Sequence, residues 1–456
     1  MSKESIALNR FGLGARPDEA LPVDPQRWLL SQLERYEALP APWQKQPSTQ
    51  ALVREWAIQQ RTLRAAPEVE RQAMREAFQR QGRETYQAAV GGRAASALQS
   101  GTPFLERMVH FWANHFAVSA EKQQVLLMAG AFEADAIRPH VMKRFEDMLL
   151  SVVRHPAMLY YLDQTNSVGP DSQAGQRSAR RRGKPQGLNE NLAREILELH
   201  TLGVRSGYTQ HDVTEFARAL TGWTVAGEGA ADGGEAGDPF RFRPGTHEPG
   251  KRLVLGRSYA EGGEEQARAI LRDVAASPAT ANHIALKLAR HVVADDPPPS
   301  LVARLADTFQ KSGGELPALY RTLVLSPEAW LDGGGKFKSP WDWSISSMRA
   351  FGRREMPGNQ ANNLMNQLGQ PVWKPGSPAG YGDTAGAWAA PDALVRRVET
   401  AQRLAAQAGG GRDARRLAPQ VLPGSLSDMT KRAIANAESP TTALALLLAC
   451  PEFLRR

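Results

Sequence analysis

Leu188-Asn189-Glu190-Asn191-Leu192-Ala193-Arg194-Glu195-Ile196-Leu197-Glu198-Leu199-His200-Thr201-Leu202-Gly203-Val204 is the stretch that decides the fold class. Projected at 3.6 residues per turn, Leu188, Leu192, Ile196 and Leu199 form one face, and Ala193, Leu197 and Val204 form another beside His200. Little circumference is left for water, so the spacing predicts a buried helix with Asn189 at its N-cap and Gly203 at its exit. The polar groups fall on one stripe, Asn191, Glu195 and Glu198 at i, i+4 and i+7, bordered by Glu190 and Arg194. Charge isolated in an interior is expensive, so these carboxylates must be paired, protonated or bound to a cation.

Two readings of the stripe follow. In one, Glu195 and Glu198 act as general acid and base or as oxygen ligands of a divalent metal ion, with Asn191 orienting a water or substrate. In the other, the i,i+4 pairs Glu190–Arg194 and Arg194–Glu198 form a salt-bridge ladder. The ladder leaves Asn191 and Glu195 without a role.

Outward from this helix, apolar residues recur at 3–4 spacing through most of the chain and period-2 alternation is scarce, so the fold class reads as all-α. Helices are expected over 23–36, 48–81, 102–118, 122–136, 138–151, 156–164, 188–203, 210–220, 263–275, 278–293, 299–311, 316–325, 341–351, 391–404 and 440–448. Glycine, proline and polar content mark 169–187, 227–239 and 405–427 as loops. The strand-like material is Phe240-Arg241-Phe242 and Arg252-Leu253-Val254-Leu255, expected to pair as one small β-hairpin across the turn-rich 244–250. At 456 residues the chain exceeds the roughly 250–300 residues of a single core. It reads as one large helical domain (1–456) or as two packed lobes, about 1–225 and 256–456, joined by an insert at 226–255.

A second helix repeats the pattern. Leu105, Met108, Phe111, Trp112, Phe116 and Val118 cover most of the segment 104–118, leaving a seam of Glu106, Arg107, His110 and Asn114. Glu106 and His110 are i,i+4, a geometry that can share a metal ion. His115 points about 140° away from His110 on an ideal helix, so the H-E-x-x-H zinc geometry is absent. His211 and Glu215 form a further i,i+4 pair, expected to be exposed. His247, in His247-Glu248-Pro249-Gly250, sits on a turn from which it can reach a site.

Other motifs fall short. The glycines Gly227, Gly229 and Gly233 miss the dinucleotide fingerprint, and Gly333-Gly334-Gly335-Lys336 lacks P-loop spacing. There is no G-x-S-x-G elbow. The single cysteine, Cys450, lies in an apolar run and reads as a buried thiol. The basic run Arg177, Arg180, Arg181, Arg182 and Lys184, just before the carboxylate helix, reads as a solvated loop, with a lid that recruits an anionic ligand as the alternative.

The net charge of +8 permits attraction to polyanions. No stretch interleaves basic and aromatic residues as a base-stacking platform, which argues against nucleic acid. No apolar run reaches the length of a membrane span. The N-terminal residues lack the apolar core of a secretory signal, so a cytoplasmic location is expected, with export to the periplasm as the alternative.

Several longer motifs carry a family resemblance: Leu8-Asn9-Arg10-Phe11-Gly12, Phe111-Trp112-Ala113-Asn114-His115-Phe116, Gly187-Leu188-Asn189-Glu190-Asn191-Leu192-Ala193-Arg194-Glu195, Gly207-Tyr208-Thr209-Gln210, Ala219-Leu220-Thr221-Gly222-Trp223, Phe242-Arg243-Pro244, His247-Glu248 and Lys336-Phe337-Lys338-Ser339-Pro340. Together, and in this order, they resemble the bacterial domain-of-unknown-function family 1800. The resemblance implies a large helical protein without an established activity. It also implies a second uncharacterised, sulfatase-like protein encoded nearby as partner, and frequent export signals.

The leading expectation is therefore an enzyme-type site of hydrolase or oxidoreductase class. Its catalytic residues would be Glu195, Glu198, His110 and Asn191. Asn114, Arg194, His247 and Trp223 would bind substrate. Glu195, Glu198 and His110 would hold a divalent metal ion. The competing expectation is a non-catalytic scaffold or partner protein whose polar seams fix helix register.

Overall fold

The computed structural model describes residues 1–182, 187–227, 237–332, 335–408 and 412–456. Lys184, the glycines Gly229 and Gly233, and Gly333-Gly334 lie outside the described residues. The architecture is mainly helical, with two small antiparallel two-stranded sheets among the described residues. Buried side chains form one contiguous hydrophobic cluster running from Ile6 to Phe453. No helix of the described residues is long and apolar enough to cross a membrane.

Most predicted helices are present, and the departures have local causes. The segment expected as a single helix over 48–81 is two helices, Thr49–Ala65 and Glu68–Gln99. Pro67 lacks an N–H and disfavours helical backbone at the residue before it, and Ala66 accordingly takes ψ 145°. Two segments read as loops contain helices, Gln173–Arg182 and Ala414–Val421. Polar and arginine-rich composition masked both, although arginine is a good helix former.

The strand-like residues do form strands, with different partners from those expected. Phe240–Phe242 pairs with Trp223–Val225, Phe242 facing Trp223, and Arg252–Val254 pairs with Arg257–Tyr259. The partner strand Trp223–Val225 follows the helix Gln210–Leu220 directly and is wholly buried, so it carries no alternation to read.

The helix over 188–204 also differs from its projection. It runs as an α-helical turn Asn191–Glu195 and widens into a π-turn Ile196–His200, before Gly203 ends it at φ +93°. Leu192, Ala193, Ile196, Leu197 and His200 are buried as expected, whereas Glu195 and Glu198 are half-buried and Asn191 is exposed. The helix docks on Gln210–Leu220 and borders water along its polar stripe. By contrast, Pro103–His115 is buried almost all round: Glu106, Arg107 and His110 are 3%, 1% and 8% exposed. That helix and Pro278–Val292 supply two walls of the candidate site.

Candidate functional site

The polar seam of Pro103–His115 meets guanidinium groups on both sides. The Glu106 carboxylate is held by both terminal nitrogens of Arg138, Nη1 at 3.1 Å. Glu133 is shared by Arg138 at 3.7 Å and Arg93 at 3.0 Å. Arg93 lies over the rings of Trp341 and Trp373, and Arg138 over Trp43. On the other side, Arg107 Nη1 donates to both oxygens of Asp342 at 3.1 and 3.2 Å, and Arg456 Nε lies 3.1 Å from Oδ2. These guanidinium groups hold the Asp342 carboxyl far below the usual carboxylate range.

Between the two networks lies an inner cavity of about 80 Å³, lined among others by His110, Asn114, His291, Trp341, Asp342 and Asp383. That volume admits several waters or a small substrate group. His291, in the last turn of Pro278–Val292, accounts for its chemistry. Its Nδ1 contacts Asp383 Oδ2 at 2.8 Å, and its buried Nε2 has no hydrogen-bond partner among the described residues. An ionised carboxylate at Nδ1 fixes the proton there and leaves Nε2 with a free lone pair. Burial holds the His291 imidazolium below the usual histidine range despite the Asp383 charge, so the ring is neutral near pH 7. Asp383 in turn is far below its usual range, its charge favoured chiefly by His291 and Lys336. Lys336 is anchored to Asp295 at 2.7 Å.

The loop carrying Asp383 is clamped from the histidine helix. Asn114 donates Nδ2–H to the Tyr381 carbonyl at 2.9 Å and accepts the Tyr381 N–H at 2.8 Å, a two-point amide pairing with the backbone. Gly380 sits beneath the clamp at φ +79°, where a Cβ would collide with the Asn114 backbone and side chain. Trp373 in the opposite wall takes φ +50°, uncommon for an aromatic residue, and is tied down by Nε1–H to Glu133 at 3.0 Å and by its carbonyl to the Ala120 N–H at 2.8 Å.

The residues singled out from sequence divide between this cavity and other places. His110 and Asn114 line it. His110 Nδ1 accepts from Trp341 Nε1–H at 3.3 Å, so its proton is on Nε2, 3.7 Å from a Glu106 already committed to Arg138. Glu195 and Glu198 do not line it. Arg194 bridges Glu190 at 3.2 Å and Glu198 at 3.6 Å, which is the ladder. Glu195 stands beside it with its pKa raised, by burial first and by Glu198 second. Asn191 is exposed, its N–H bonded to the Asn189 side chain at 2.9 Å. His247 is buried with Nδ1 on the Thr221 carbonyl at 2.8 Å, and Trp223 packs in the core against Phe240. Glu215 is buried and paired with Arg218 and Arg252, leaving His211 exposed and outside that pair. Among the described residues no group of three or more His, Cys, Asp or Glu side chains is arranged to hold a metal ion.

His291, Asp383, Asp342 and Trp341 escaped the sequence reading. His291 is one of several histidines on a predicted helix, and Asp383 lies 92 residues further on, in a glycine-rich stretch without periodicity. The Lys336–Pro340 motif was the available signal: it carries Lys336 under Asp383 and leads into Trp341 and Asp342.

A family model described as Protein of unknown function (DUF1800) matches residues 6–455. No curated protein and no solved structure matches the chain.

Proposed function

We propose, for a chain that belongs to the DUF1800 family of proteins of unknown function, that the inner cavity is a hydrolytic site with His291 as general base. The observation that carries this reading is the His291 ring: Nδ1 is held by Asp383, while the buried Nε2 has no partner among the described residues and the ring lines the inner cavity. Buried ring nitrogens of His110, His115, His200 and His247 also lack a partner among the described residues, and His291 is set apart from them by the carboxylate hydrogen-bonded at its other nitrogen. In the proposed reaction Nε2 takes the proton of a bound water as its oxygen attacks the substrate. Asp383 stabilises the imidazolium so formed, and the same proton then passes to the leaving group. Asn114 is a positioning residue, since it fixes the backbone two residues before Asp383.

The carboxylates of the two polar seams belong to a different role. Glu106, Glu133, Asp342 and Glu198 each face a guanidinium group, which supports a structural function for the helix 188–204 and for the seam of the histidine helix. The sulfatase-like partner suggested by the family resemblance is proposed on that resemblance alone, and co-purification tests it.

The experiment is a hydrolysis screen with p-nitrophenyl acetate, p-nitrophenyl phosphate and p-nitrophenyl sulfate, run on the wild type, His291→Gln and Asp383→Asn. Removing the base should cost about 100-fold or more in kcat on any substrate turned over. The reading fails if His291→Gln, folded by circular dichroism, turns over as fast as the wild type.

A further inference from the structure

The inner cavity adjoins an outer cleft of about 260 Å³, and the two share Asn114, His291, Tyr381, Gly382 and Asp383 as lining residues. The floor of the outer cleft is one face of Pro278–Val292, where Lys287, Arg290 and His291 stand at i, i+3 and i+4. Neither Lys287 nor Arg290 forms an ion pair among the described residues. Arg290 donates Nε–H to the Asp295 carbonyl at 3.0 Å, which leaves its terminal nitrogens without a carboxylate. The Lys287 ammonium has no hydrogen bond among the described residues, and the residue is half-buried. Among the described residues the one carboxylate lining the cleft, Asp383, is already engaged by His291 and Lys336. Burial pushes the Lys287 ammonium down to about 8, a fall that the Asp383 charge opposes only in part and that the Arg290 charge deepens.

We propose that this cleft seats a small oxyanion, a phosphate or a carboxylate, between Lys287 and the Arg290 guanidinium, so that the protein's substrate is anionic and presents its reacting group to His291. The guanidinium offers a planar pair of donors and the ammonium a point charge, a combination suited to oxygens carrying delocalised charge. The anchoring of the substrate rests on the hydrolytic reading above; the anion seat itself does not.

Calorimetric titration at pH 7 and low ionic strength, with inorganic phosphate in one arm and malonate in the other, tests it on the full chain. Saturable binding of at least one anion is expected. Lys287→Met and Arg290→Met should each weaken it tenfold or more, while Lys287→Arg should retain most of it. Arg64→Met, at an exposed site elsewhere, should change nothing. Tighter phosphate assigns a phosphorylated substrate, and tighter malonate a carboxylate. Absence of saturable binding to both, or undiminished binding by folded Lys287→Met and Arg290→Met, overturns the proposal. Asp383→Asn separates the two claims: it should bind the anion as well as or better than the wild type, even where it abolishes hydrolysis.

Discussion

Asp342→Asn isolates what the buried charge network contributes. Asp342 is 7% exposed and occupies the first turn of Pro340–Ala350, its N–H bonded to Ser339 Oγ at 3.1 Å. Its carboxylate meets Arg107 and Arg456, each 1% exposed. Asparagine preserves the volume, removes the charge and turns an amide NH₂ toward the guanidinium groups. Removing one partner of a buried pair costs about 3–5 kcal/mol, because the remaining charge is stranded. Arg107 keeps the Gly12 carbonyl at 2.9 Å from Nε, so the lower half of that range is expected. With an unfolding entropy of about 2.1 cal/mol/K per residue, 456 residues give close to 1 kcal/mol/K, and Tm should fall by about 3–4 °C. Differential scanning calorimetry at pH 7.5 reads the shift. A double-mutant cycle with Arg107→Met separates stranded charge from lost packing, and the double variant should be more stable than the sum of the single losses predicts. A fall below about 1 °C for Asp342→Asn, or strict additivity in the cycle, would refute the argument that the charges depend on one another.

The remaining predictions concern pH, the loop clamp and the carboxylate helix. Burial lowers His155 and His200 to about 3 and His283 to about 4. These rings bind protons in the unfolded chain below its value of about 6.5 and not in the folded one. The stability they contribute is thus complete above about 6.5 and is lost as pH falls toward 4, by about 1.4 kcal/mol per pH unit for each ring. Asp342 and Asp383, with lowered pKa, contribute stability that is present above about 3.8 and lost below it. Acid titration followed by circular dichroism should accordingly show an unfolding midpoint above pH 4, and a midpoint near pH 3 would contradict the histidine assignment. Gly380→Ala should lower Tm and reduce any hydrolytic activity together, because the new methyl displaces the Asn114 clamp; unchanged activity would remove Asn114 from the positioning role. Glu195→Gln should leave Tm unchanged or raise it slightly, since its charge is disfavoured by burial and by Glu198. A marked loss of stability would mean that an ionised Glu195 has a partner the ladder does not provide.

The all-α class was legible because periodicity reports burial of a helix face, and the burial of Leu192, Ile196 and Leu197 follows from it. The same projection overstated the burial of the carboxylate stripe. A 3.6-residue wheel assigns a face by what is apolar, and it cannot register that the helix widens into a π-turn at Ile196 or that Arg194 satisfies its neighbours at the surface. His110 and Asn114 stood out because two polar residues on an otherwise apolar cylinder demand partners, and both line the inner cavity. Which partners they take was not legible: Trp341 and Tyr381 come from segments more than 200 residues away. Long-range pairing of this kind leaves no periodic trace, and for that reason Asp383 and His291 emerged only with the fold.

The most direct measurement of the central claim is the protonation state of His291, read by ¹⁵N NMR of histidine-labelled protein with His291→Gln as the assignment control. The expected result is a neutral ring at pH 7, protonated on Nδ1 and bare at Nε2, titrating below the usual histidine range. In Asp383→Asn that tautomer should lose its preference. A ring that is doubly protonated at pH 7, or one that carries its proton on Nε2, would contradict the assignment of His291 as the base.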